Sequence, residues 1–190
     1  MNYKDLFQRS VMLLSAPAKA WEKIREEDGQ HLQASFVYPM IALCGLSMFV
    51  GILFGNGVED FNLQLVLTEC SGIFISLFGG FFLASYLISL CGERFWGRPA
   101  DDRENCQKLV GYSMVVIFVL DILMGLFPSF FVLRWILQFY LVYIVWEGAK
   151  VLMEIAEEKM LSYTLVASII ILASPAMIDF VFGQLSKMVN

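Results

Sequence analysis

Four charged residues sit inside long apolar runs: Glu69, Asp121, Arg134 and Asp179. An ionised side chain in the middle of a membrane span costs at least ~2.5 kcal/mol on insertion scales, so such residues are first read as functional. Three carboxylates and one guanidinium would suit a hard cation or a proton. The competing reading is that they lie near the lipid–water interface and lock neighbouring helices together. A second group, Glu147, Lys150 and Glu154, recurs at three and four residues, the spacing of one helix face. Tyr112 and Ser113 fall at the same inner level, and this inner-edge polar cluster reads as structural first.

Other chemistries find no support. The chain shows no nucleophile motif, no Gly-rich phosphate loop and no metal-ligand spacing. A metal site on the single histidine, His31, would have to recruit Glu26, Glu27 or Asp28, and a solvated helix-end histidine is the simpler reading. Cys44, Cys70, Cys91 and Cys106 are widely spaced with no C-x-x-C, so they read as small buried hydrophobes rather than a disulfide framework or zinc site. No enzyme activity, metal or cofactor is expected. The net charge of −5 suggests no nucleic-acid partner.

The elements that would hold these charges are membrane helices. Of 190 residues, 58% are hydrophobic and only 16% charged, and the mean hydropathy is +0.69. Soluble domains carry about a quarter charged residues. Residues 109–150 organise the rest: two apolar runs, each about 20 residues, the length that crosses ~30 Å of hydrocarbon. They are joined at Phe127-Pro128-Ser129, which predicts a tight hairpin. Asp121 lies about seven residues before that turn and Arg134 about five after it. At about 1.5 Å per residue, both reach the same depth, so a direct or water-bridged ion pair is predicted. Its rival is an Arg134 that snorkels to the headgroups beside a protonated Asp121.

In chain order, residues 1–34 form an N-terminal segment of two short amphipathic interfacial helices. Leu6, Phe7, Val11 and Leu14 mark the first. Ser15 is a candidate cap, Pro17 suits a first helical turn, and Trp21 is expected to anchor the second helix at the interface. This start is charged and polar rather than a basic stretch leading into a short apolar core, so no signal peptide is expected. A transmembrane domain over 35–183 follows. Its five spans are read at about 35–55, 65–91, 109–127, 130–150 and 162–182, with a short tail at 184–190. Gly79-Gly80, in the second span, would permit close helix approach or a kink. The acidic loop 56–62 carries Glu59 and Asp60. Residues 151–161 read as a helical extension. The fold class is therefore all-α, an integral membrane bundle.

Basic residues orient it. Lys4, Arg9, Lys19, Lys23, Arg25, Arg94, Arg98, Arg103, Lys108, Lys150 and Lys159 fall on one side, against Arg134 and Lys187 on the other. Eleven of the 13 mark the N-terminal side as cytoplasmic, and five spans place the C-terminus outside.

Several short motifs resemble a known family. Ala16-Pro17-Ala18-Lys19-Ala20-Trp21-Glu22-Lys23-Ile24 is similar to the first helix of bacterial Yip-family proteins, relatives of the eukaryotic Ypt/Rab-interacting proteins. Phe95-Trp96-Gly97, Gly111-Tyr112-Ser113 at the start of span three, and the aromatic stretch from Tyr140 to Gly148 fit the same pattern. The family often has Pro shortly after Gly-Tyr-Ser. Met114-Val115-Val116 stands there instead, so no proline kink is expected. The resemblance implies a cytoplasmic N-terminus, five spans, and a non-enzymatic membrane organiser or partner-binding module of the inner membrane. The alternative is a small transporter or channel for a cation, proton or small solute, at least dimeric because five helices enclose little volume. Expected partners are membrane lipids and a protein at the cytoplasmic face.

Overall fold

The computed structural model describes residues 3–27, 32–56, 62–97 and 102–189. His31, the acids Glu59 and Asp60, and Arg98 lie outside the described residues. Those described are helical almost throughout, with no strand among them.

Two short helices come first, α1 (Tyr3–Ser15) and α2 (Pro17–Arg25), folded back on each other about Ala16. Pro17 opens α2, where its missing N–H costs nothing. Ser15 does not cap it: its hydroxyl donates backwards to the Val11 carbonyl. A wide π-helical turn (Gln33–Val37) leads into α3 (Tyr38–Asn56). Helix α4 (Leu63–Trp96) starts on Asn62, whose side chain accepts from the Leu65 N–H at 3.2 Å. It stops at Gly97, which supplies a left-handed φ of 69°. Helices α5 (Arg103–Ser113) and α6 (Val115–Leu126) together make the third span.

After a 3-10 turn at Pro128–Phe130, α7 (Phe131–Leu137) and α8 (Tyr140–Leu152) make the fourth span. The fifth is α9 (Glu157–Val189). Among the described residues, five helical stretches are long and apolar enough to cross a membrane. With 34 and 33 residues, α4 and α9 are about 50 Å long, well beyond the ~30 Å of hydrocarbon.

Two seams hold the bundle. Spans one and three run parallel: Val37 meets Gly111, Cys44 meets Phe118 and Gly51 meets Gly125, each pair 74 residues apart. Spans one and three must share a direction if the chain alternates sides, and these do. Helices α4 and α9 run antiparallel. Gly80 lies so close to Pro175 that a Cβ on it would come within 2.8 Å of the proline backbone. Proline removes a backbone donor from α9, and the missing side chain of Gly80 lets α4 press against that surface. Of the two readings of Gly79-Gly80, close approach is the one realised.

Two spans are interrupted. Span three breaks at Met114, where ψ is −7°, although no proline is present. Span four breaks at Gln138–Phe139, between α7 and α8. The link 151–161 is not a continuous helical extension either. Helix α8 ends at Leu152, and Glu154 has φ 45° before α9 begins at Glu157.

Candidate functional site

The N-terminal hairpin is part of the bundle. Leu6 and Leu13 of α1, and Ala20, Trp21 and Ile24 of α2, are buried in the same core as residues of spans three and four. The hairpin lies along α8. Near its turn, the Tyr140 hydroxyl donates to the Leu14 carbonyl at 2.8 Å. Midway, the Trp21 indole N–H donates to the Ile144 carbonyl at 2.9 Å. At its open end, Arg25 pairs with Glu154 at 3.0 Å. Tyr140 opens α8 and Glu154 lies just past its end, so the hairpin follows α8 for its whole length, about 20 Å.

Trp21 was expected to face the headgroups as an anchor. Instead it is wholly enclosed, edge-on to the Tyr112 ring at 6.1 Å. It also presses on Gly148, where a Cβ would come within 2.7 Å of the indole. The amphipathic pattern identified the buried face of α2 correctly but not what would cover it.

Behind Trp21 is a polar node that the sequence did not single out. Arg9 pairs with Glu27, and the same Arg9 nitrogen lies 3.0 Å from the Tyr112 hydroxyl. That hydroxyl donates in turn to Glu27 at 3.3 Å. Lys108, counted above only as a marker of sidedness, is buried. It donates to the Glu27 carbonyl at 2.6 Å and pairs with Glu104 at 2.9 Å. Burial alone would lower the Arg9 guanidinium, but the hydrogen bond to Glu27 and the Tyr112 oxygen hold it above its ordinary value. The node ties α1, the end of α2 and α5 together. The available signal was a helical Arg9 on the flank of a buried face; its partners, 18 and 103 residues away, left no mark in the sequence.

The inner-edge cluster expected from Tyr112, Glu147, Lys150 and Glu154 does not assemble. Tyr112 belongs to the Arg9 node. Glu154, beyond the end of α8, has left the helix face and pairs with Arg25. Lys150 lies over the Trp146 ring, 5.8 Å from its centroid, a cation–π contact. Glu147 is half-buried.

The outer charges come together in part. Arg134 of α7 lies 2.9 Å from Asp121 of α6, the ion pair that the depth count predicts. The Asp121 side chain is 12% exposed and that of Arg134 42%, so the pair sits at the rim of the bundle. Asp179 is near enough to Asp121 to interact electrostatically, but its own side chain is exposed. Glu69 is exposed on α4. Among the described residues no His, Cys, Asp or Glu side chains gather in a group able to hold a metal. All four cysteines are free thiols, Cys44 and Cys106 buried. The buried Ser113 hydroxyl, beside the Met114 break, has no bonding partner among the described residues.

A family model, the Yip1 domain, matches residues 11–178. No curated protein and no solved structure matches the chain.

Proposed function

The chain belongs to the Yip1-domain family and is an integral membrane protein; from that premise we propose that it is a non-enzymatic membrane organiser. In this reading its spans carry the α1–α2 hairpin as a fixed platform at the cytoplasmic face of the inner membrane, and a protein partner docks there. The observation that carries the proposal is the bond from Trp21 to Ile144. A free N-terminal segment would need no such attachment, whereas a platform must be held rigidly. The outward residues of the hairpin fit the division of labour. Tyr3, Phe7 and Val11 make an exposed apolar stripe on α1, suited to the lipid interface. Glu22, exposed on α2, is left for a partner.

The polar groups favour this reading over transport. A cation or proton path needs carboxylates that converge on shared space inside the bundle. Here Asp121 is neutralised by Arg134 at the rim, and Glu69 and Asp179 are exposed. A photo-cross-linker at Glu22 tests the platform in native membranes. A discrete adduct that disappears in Trp21→Ala supports it. No adduct, or one indifferent to Trp21→Ala, overturns it. For transport, proteoliposomes showing ion flux that Asp121→Asn abolishes would restore the alternative.

A further inference from the structure

A cleft of about 270 Å³ lies between α1 and α2. That volume is at the small end of ligand pockets, room for a headgroup rather than a whole lipid. Its lining is sorted along the hairpin. Leu13 and Ala20, both buried and nearest the turn, line its apolar floor. Asp5, Arg9, Lys23 and Glu27 are set toward the open end, because the two arms run antiparallel about Ala16. Two acids and two bases thus share one small mouth. Arg9 and Glu27 are bonded to each other, while Asp5 and Lys23 are exposed and make no ion pair among the described residues.

The hairpin also fixes which way the cleft points. Its turn lies beside Tyr140, at the start of α8, and its open end beside Glu154, past the end of α8. The charged mouth is therefore at the basic end of the bundle and the apolar floor points toward its middle. A phospholipid in the adjoining leaflet has the same order, head outward and carbon inward. The required ligand carries one anion and one cation a few bonds apart, with apolar carbon on the anionic side.

We infer that the cleft between α1 and α2 binds the phosphoethanolamine head of an aminophospholipid. The phosphate meets Lys23 and Arg9, the ammonium meets Asp5 and Glu27, and the glycerol end rests on Leu13 and Ala20. An ammonium donates three N–H bonds to carboxylates. A choline head has none to give, and a purely anionic head leaves Asp5 and Glu27 facing negative charge. The inference goes beyond the platform reading and requires no protein partner.

The test is native mass spectrometry of the full chain released from nanodiscs holding equal phosphatidylethanolamine and phosphatidylcholine of matched acyl chains. The wild type is expected to retain the ethanolamine lipid about tenfold over the choline lipid, a modest difference for charge-assisted hydrogen bonds. The double variant Asp5→Asn/Lys23→Gln loses that preference. Both positions are exposed, so folding is preserved, which the thermal unfolding midpoint checks. Glu26→Gln, exposed just past α2 but outside the cleft lining, keeps the preference. Equal retention of the two lipids by the wild type, or a preference unchanged in the double variant, overturns the inference. Soluble phosphoethanolamine, added to the detergent-purified protein, is expected to displace the bound lipid. If it binds while no lipid is retained, the ligand is a soluble phosphate ester and the lipid assignment fails. A polypeptide held in the cleft in place of lipid overturns it as well.

Discussion

The Trp21 indole N–H donates to the Ile144 carbonyl oxygen across 2.9 Å, tying the N-terminal hairpin to the body of a membrane span. The indole is fully buried, with Tyr112 at its edge and Gly148 beneath it. Two changes separate its packing from its hydrogen bond. Trp21→Phe keeps most of the apolar volume and loses the bond, for about 1 kcal/mol. Trp21→Ala opens a cavity and is expected to cost about 3–5 kcal/mol. Thermal unfolding in mild detergent ranks the two. Limited proteolysis then reports whether α1 and α2 detach first. Equal, small losses would mean that Trp21 carries little of the attachment.

Helices α3 and α6 meet glycine to glycine. A Cβ on Gly51 would overlap the Gly125 carbonyl, and one on Gly125 would lie within 2.8 Å of the backbone at Ser47 and Met48. Backbone cannot turn aside as a side chain can. Gly51→Ala and Gly125→Ala are each expected to destabilise by about 3 kcal/mol or more, the upper range for overpacked cores. Gly183, on α9, provides the control, since a Cβ there meets nothing within 4 Å. Gly183→Ala should be neutral or stabilising by up to ~1 kcal/mol through helix propensity. The measurement is the unfolding midpoint of the three variants side by side. An unperturbed Gly51→Ala would disprove the close approach.

Asp121 and Arg134 bracket the 127–129 turn and join its two arms at 2.9 Å. Removing either partner leaves the other charge poorly sheltered at the rim of an apolar layer. Asp121→Asn and Arg134→Gln should each destabilise the fold. The double variant should lose less than the two singles combined, with a coupling of about 1 kcal/mol, since Arg134 is 42% exposed. Denaturation of the four proteins closes the cycle. A coupling near zero would mean that Arg134 is satisfied by headgroups instead.

The sequence carries some of these relationships and conceals others for physical reasons. Hydrophobic run length marks the five spans because lipid imposes a thickness that every span must meet. The Asp121–Arg134 pair was legible for the same reason: a short turn and a fixed rise per residue set the depth of both. The hairpin's docking was not. Amphipathic spacing shows that Trp21 has a covered side, but whether lipid or protein covers it depends on contacts 123 residues away. The breaks at Met114 and Gln138–Phe139 involve no proline, so no helix-breaking residue marked them in the sequence. The place given to Glu154 in the inner cluster failed on one assumption, that α8 continues through it. The φ of 45° at Glu154 ends that face, and the carboxylate turns to Arg25.

Orientation is the prediction with the widest reach. Five crossings would each reverse the chain, and the constant 74-residue offset between spans one and three fits spans that point the same way. The chain ends are then predicted to lie on opposite sides. Eleven of the 13 basic residues fall on the N-terminal side, and the cytoplasmic leaflet retains Lys and Arg. An epitope at residue 1 is therefore expected to be protected from protease in intact spheroplasts and cut after permeabilisation. One placed after residue 190 is cut in both conditions. The hairpin responds to the same experiment. Its open end is held near the end of α8 by the Arg25–Glu154 pair, so a protease site inserted beside Glu26 must behave like the N-terminal epitope. Both epitopes cut together from one side would break the alternation of spans, and with it the placement of the α1–α2 cleft at the inner leaflet.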